Sequence, residues 1–235
     1  MVQLEEEVVE EGPGDSCLVQ TDLEKIIHRK TGPKKKGQVK KAEPANKKKY
    51  GEKSEDFSSA VAQAQKWMLK YKSPDEIPDS SIPLEYDYRN LSGYDFTGPV
   101  RDQEECGSCY TLGFIQAVEA RLKLKYAGRA QIPQLSPQFL MECNYMNEGC
   151  DGGWAIFHGF LAENGHMITE ECGPYKAKTK GESCANYKNC PGFAKVRTSY
   201  YVGGYNFSPT VKDIQKELLM KGPLVTEFKC NDAFQ

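Results

Sequence analysis

This chain has little of what membrane, metal-binding or nucleic-acid classes require. No apolar run in its 235 residues approaches the about 18–20 that a bilayer-crossing helix needs. Its 31 basic and 33 acidic side chains leave a net charge of −2, so the average field gives no reason to expect a nucleic-acid partner. Met1–Glu11 is acidic where a signal peptide carries a positive segment followed by apolar residues, so no leader is expected in that stretch. Zinc ribbons pair two C-x2-C units, and here only Cys106-Gly107-Ser108-Cys109 has that spacing. No metal is therefore expected. The short, broken Gly98-Pro99-Val100-Arg101 before it is not the strand that precedes a thioredoxin-type redox pair. Histidine occurs three times, as His28, His158 and His166. No internal repeat is visible. The 39% hydrophobic content excludes a wholly disordered chain and allows a packed core.

The balanced net charge hides a segregation. Arg29 to Lys53 holds eleven basic and two acidic side chains, just after Glu5, Glu6, Glu7, Glu10 and Glu11. Blocks of like charge repel and seldom fold alone, so residues 1–54 read as a charged, largely disordered arm. Its other reading is a basic tether, Lys34–Lys49, for an acidic surface. No aromatic is interleaved between Lys30 and Lys49, so specific nucleic-acid stacking is not expected.

Nine cysteines point the other way, and seven of them lie between Cys106 and Cys190. That density suggests disulfides and an oxidising compartment, or a metal. Asn90-Leu91-Ser92 and Asn206-Phe207-Ser208 are N-glycosylation triplets, which mildly favour secretion.

Several helices can be read from caps and periodicity. Thr21 with Glu24 forms a capping box for a short helix, Asp22–Lys30. Phe57, Val61, Ala64, Met68 and Tyr71 recur at helical spacing and predict an amphipathic helix, Asp56–Lys72, whose apolar face must dock on something. Residues 55–82 thus form a propeptide-like or docking segment. The compact part begins near Ile82-Pro83. Leu112, Ile115, Val118 and Leu122 predict a long buried helix over Cys109–Tyr126. Ser136-Pro137 opens a short helix to about Glu142, with serine as cap and proline in the first turn. Trp154, Phe157, Phe160 and Leu161 mark a helix ended by Gly165. Ser208-Pro209 is read as the cap of a last helix, stopped by Gly222-Pro223, and Leu224–Phe228 as a strand.

The stretch that carries chemistry is Gln103 to Tyr110. Cys109 stands where a loop becomes a long helix, and a helix N-terminus stabilises a thiolate nucleophile. Gln103 can return over the loop and offer its amide to a developing oxyanion. Small Gly107 and Ser108 allow a substrate backbone to approach. C-G-[SA]-C-[WY] is the local signature around a papain-type nucleophile.

These residues resemble the papain-family cysteine peptidases, and within them the cathepsin C (dipeptidyl peptidase I) branch. The matching runs are Asn90–Phe96, Pro99–Gln103 through Cys109-Tyr110, Leu135–Gln138, Gly149–Gly153, Glu171–Tyr175, Tyr201–Gly204 and Gly222–Leu224, in family order over residues 83–235. Tyr110 after the nucleophile, in place of tryptophan, is a trait of that branch. The resemblance implies an α+β papain-like fold with a helical domain, and a lysosomal or secretory setting. It also implies disulfides Cys106–Cys150, Cys143–Cys184 and Cys172–Cys190, which leave Cys109 free. Cys17 and Cys230 have no family partner. Gly152-Gly153 is similar to the backbone edge that pairs with an extended substrate; it also reads as a tight turn. The branch's chloride site uses tyrosines matching Tyr201 and Ile156. Isoleucine cannot donate a hydrogen bond, so no chloride, and no other cofactor, is expected. Residues 1–82 do not resemble the branch's exclusion domain, and Asp56–Trp67 is only faintly similar to its propeptide.

A papain-type site also needs a histidine base and an asparagine to orient it, about 130–150 residues past the cysteine. Gln235 lies 126 residues past Cys109, so both are expected beyond it, with most of the β-rich domain. The three histidines present are expected to be structural or exposed. Two functions follow. One is a cysteine peptidase, incompletely represented and inactive as this chain alone, acting on peptides or proteins. The other is a non-catalytic papain-fold module of a cytosolic or cytoskeletal assembly, engaged through Lys34–Lys49 and the Asp56–Lys72 helix.

Overall fold

The computed structural model describes residues 2–8, 55–127, 131–179, 183–204 and 208–228. Strand β1 is Val2–Val8, helix α1 Glu55–Lys70, α2 Cys109–Lys125, α3 Pro137–Cys143, α4 Ala155–Asn164, strand β2 Ala194–Tyr201 and α5 Val211–Lys221. Single 3-10 turns occur at Pro74–Glu76, Asp79–Ser81, Gly149–Asp151 and Cys184–Tyr187. The architecture is helix-rich with little strand. No helix among the described residues is long and apolar enough to cross a membrane.

Helix α2 is the axis of the core. Phe114, Ile115, Val118 and Leu122 are fully buried, and they pack with Leu135, Leu140, Ala155, Ile156, Met167, Val196 and Val225 from the segments around them. Apolar residues surround the helix instead of lining one stripe, as expected when it is enclosed. Ser136 caps α3, its side chain accepting from the Phe139 N–H, with Pro137 in the first turn. Gly165 closes α4.

Helix α1 docks on this chain itself. Its buried face is Ala60, Ala64 and Trp67, one position round from the expected stripe. Alanines let the backbone approach Tyr88, Leu91, Phe96 and Leu124, while Trp67 packs with Ile77, Leu219 and Met220 of the last helix. Phe57 and Met68 flank that face and are only partly buried. Gln65 Nε2 donates to the Leu124 carbonyl at 2.7 Å and to the Lys125 carbonyl at 3.2 Å. These are among the last α2 carbonyls, which have no partner within their own helix. Asp79 pairs with Lys212 and Lys216. The apolar face read as a docking element for a partner is therefore occupied. The basic stretch Lys34–Lys49, the Asp22–Lys30 helix, Cys17 and Cys230 lie outside the described residues.

Three boundaries differ from expectation. The front of the charged arm, Val2–Val8, is a strand that pairs antiparallel with β2, from Val2 opposite Tyr201 to Val8 opposite Ala194, with a bulge between Glu5 and Glu6. The cap of α5 is Thr210, not Ser208. Thr210 and Asp213 form a reciprocal capping box, which satisfies two orphan backbone donors. Leu224–Phe228 is not a regular strand. Only Val225 makes a bridge, and its side chain is drawn into the core beside α2.

Candidate active site

The loop from Arg101 to Ser108 delivers Cys109 to the first turn of α2. Glu104 adopts φ +54°, with its N–H held by Asp102 at 2.8 Å. The Gly107 N–H donates to the Cys150 carbonyl at 2.8 Å, beside the Cys106–Cys150 disulfide. A Cβ at Gly107 would lie 2.5 Å from that carbonyl oxygen, so the glycine is required by this strap. The other disulfides are Cys143–Cys184 and Cys172–Cys190. Cys109 is the free cysteine among the described residues, and it is exposed. Because Cys106 is bonded to Cys150, Cys106 and Cys109 form neither a redox pair nor half of a zinc knuckle.

Ser108, read as one of two small residues that let a substrate backbone approach, is 0% exposed. Its hydroxyl lies 2.6 Å from the Tyr175 hydroxyl, which in turn donates to the Gln103 carbonyl at 2.8 Å. Ser108 therefore holds the loop through its side chain. Gln103 is half-buried.

Gly152 and Gly153 have different reasons to be glycine. Gly152 sits at φ +121° with open space where a Cβ would be, so its requirement is conformational. Its carbonyl accepts from the Glu148 N–H at 3.0 Å. A Cβ on Gly153 would meet Tyr110 Cε2 at 2.8 Å and overlap Asn147 Oδ1. The buried Asn147 amide accepts from the Trp154 N–H at 2.8 Å and donates to the Trp154 carbonyl at 3.3 Å. It thus braces one side of this backbone edge as a strand partner would. Trp154 stands beside the edge and is 55% exposed.

His158 is enclosed behind the nucleophile's helix. Asn144 Oδ1 accepts from the Met146 N–H, so its Nδ2 faces His158 Nδ1 and donates to it at 3.1 Å. The His158 Nε2–H then donates to Thr111 Oγ1 at 2.8 Å. With both nitrogens engaged and burial pushing its pKa down to about 3, His158 stays neutral. Tyr110 stacks on it at 5.1 Å and donates its hydroxyl to the Gly149 carbonyl at 2.8 Å. His158 fixes the first turn of α2; it is not the base. His166 packs over Gly192, and His28 lies outside the described residues.

The site is thus an exposed thiol at a helix N-terminus, a glutamine on the same braced loop and a glycine edge across a disulfide. A family model described as papain family cysteine protease matches residues 82–235. The chain belongs to the papain family of cysteine proteases. It is 32% identical over 158 residues to Cathepsin C of Schistosoma mansoni, covering 66% of this chain and 34% of the relative. To Cathepsin B-like cysteine proteinase 1 of Haemonchus contortus it is 28% identical over 189 residues, covering 68% and 55%. To Cathepsin O of Homo sapiens it is 29% identical over 154 residues, covering 63% and 44%. The chain therefore spans about a third to just over half of the length of these relatives. Among solved structures, the bromelain protease from Ananas comosus in complex with the E64 inhibitor matches with a TM-score of 0.42 at 26% identity, covering 49% of this chain and 50% of that one.

In this papain-family chain, Ile156 is buried among apolar side chains of the core. Asn147 and Tyr175 are the site-supporting residues that sequence reasoning did not single out. Tyr175 belongs to the Glu171–Tyr175 run, but nothing in its spacing points to Gln103 or Ser108.

Proposed function

We propose that this chain carries the nucleophilic half of a cysteine peptidase site of the cathepsin C kind. The observation that supports it is Cys109: free, exposed, and at the N-terminus of a helix whose first turn is locked by His158, Tyr110 and Ser108. The Cys109 thiolate attacks a peptide carbonyl carbon, and the carbonyl oxygen becomes an oxyanion held by the Cys109 backbone N–H and the Gln103 side-chain amide. The C–N bond then breaks, the amine leaves with a proton, and a thioester remains for water to hydrolyse. The proton passes through a histidine oriented by an asparagine, and neither role falls to His158. The extended substrate runs along Gly153. Three disulfides support a lysosomal or secretory setting, since such bonds persist in oxidising compartments.

The test is labelling, in the protein as isolated from its source, by a thiol-directed peptide epoxide, located by peptide mapping. Modification at Cys109 that Cys109→Ala abolishes is the expected result. Faster labelling by a dipeptidyl reagent with a free amine than by its N-acylated form is expected of the cathepsin C kind. Absence of label on Cys109 refutes the peptidase reading and leaves a non-catalytic papain-fold module.

A further inference from the structure

We propose that Tyr175 is a positioning residue that sets the spacing between the two oxyanion donors, a deepening that rests on the peptidase reading above. One donor is the backbone N–H of Cys109 and the other the side chain of Gln103. Each stands next to a group bound by the same phenol oxygen. The Tyr175 hydroxyl has one proton and gives it to the Gln103 carbonyl at 2.8 Å, so at 2.6 Å it accepts from the hydroxyl of Ser108, the residue before the nucleophile. Between these two anchors the loop is strained at Glu104, whose N–H is held by Asp102, and strapped at Gly107 to the Cys150 carbonyl.

Tyr175 is itself rooted in the helix that carries Cys109. Its backbone N–H donates to Glu170 Oε1 at 2.8 Å, and Glu170 Oε2 pairs with Arg101 at 3.2 Å. Arg101 pairs with Glu119 of α2 at 2.7 Å, and Glu119 also accepts from the buried Leu135 N–H at 2.7 Å. The contacts close a ring: from the middle of α2 through Arg101, Glu170 and Tyr175 back to the first turn of α2. Within that ring the phenol oxygen has a fixed place. Oxyanion donors act only when held to a fraction of an ångström.

The experiment compares two reactions at Cys109 in the full chain. Iodoacetamide alkylates a thiolate by displacing iodide and forms no oxyanion. A peptide aldehyde adds reversibly to the thiolate and forms a hemithioacetal whose oxygen lies between the two donors. Its affinity is read as protection of Cys109 from iodoacetamide. In Tyr175→Phe the aldehyde affinity is expected to fall about tenfold or more while alkylation stays within about twofold. Gln103→Ala is expected to show the same split, and the double variant no further loss, because Tyr175 acts through Gln103. Ser108→Ala removes the phenol's other hydrogen bond and is expected to weaken the aldehyde in the same direction, which keeps the test open if Tyr175→Phe fails to fold. Unchanged aldehyde affinity in the folded variants, or losses that multiply in the double variant, overturns the proposal. A wild-type chain that alkylates but gains no protection from the aldehyde overturns the peptidase reading, and this inference with it.

Discussion

The buried His158 and Glu217 oppose one another as pH changes, and replacing either should tilt the stability of the fold in a known direction. His158 is fully buried, and that burial lowers its pKa from 6.5 to about 3. Between those values the unfolded chain binds a proton that the native state does not, so this group removes stability as pH falls. From pH 7 to pH 5 the linkage integral is about 2 kcal/mol of loss. Glu217 is 6% exposed, and burial raises its pKa from 4.5 to about 7, against the attraction of Arg121 and Lys221. Here the native state holds a proton that the unfolded chain releases, so stability rises as pH falls, by about 2 kcal/mol over the same interval. The two nearly cancel. Urea unfolding at pH 5 and pH 7, with disulfides intact and tryptophan fluorescence as the signal, reads the difference directly. Relative to wild type, Glu217→Gln should lose about 2 kcal/mol more on acidification and His158→Gln about 2 kcal/mol less, whatever each costs at pH 7. Parallel pH dependences in all three proteins would refute the reasoning.

Three further outcomes follow from the packing. Removing the Cys106–Cys150 bridge as a double alanine variant opens a 44-residue separation and should cost about 4 kcal/mol in chemical denaturation by the chain-entropy relation. Gly153→Ala forces a methyl group against Tyr110 and Asn147; it should cost about 1–3 kcal/mol and slow peptide-reagent labelling of Cys109 more than iodoacetamide alkylation. Trp67→Ala should cost about 3–5 kcal/mol, whereas Trp67→Phe should cost much less, because the buried indole N–H has no hydrogen-bond partner among the described residues. Thermal denaturation of the two variants side by side checks the difference.

What could be read in the sequence was local. Ser136-Pro137 and Gly165 mark helix ends because the cap chemistry lies within a few residues of the end it serves. The stripe of Leu112, Ile115, Val118 and Leu122 is buried because α2 sits at the centre of the fold. The pairing of Val2–Val8 with Ala194–Tyr201 could not be read, since the strands are far apart in sequence and the first carries three consecutive glutamates, Glu5 to Glu7. The face of α1 was misplaced by one position because large apolar residues drew attention from Ala60 and Ala64, whose small size lets the helix sit close. At the site, the motif marked Cys109 and Gln103. The residues that hold them, Tyr175, Glu170 and His158, act across turns and disulfides and leave no pattern in spacing.

Docking of α1 also sets an order of events during synthesis. Trp67 leaves the ribosome about 150 residues before the Leu219 and Met220 against which it packs, a wait of about 8–30 s at ordinary elongation rates. Until then, with Gln65 still lacking the carbonyls of α2, the helix has only the nearer part of its surface to lie on. A nascent chain stalled before α5 would present the indole of Trp67 to the chaperones of its compartment. Truncation there should be read out as chaperone association and degradation well before any loss of chemistry at Cys109.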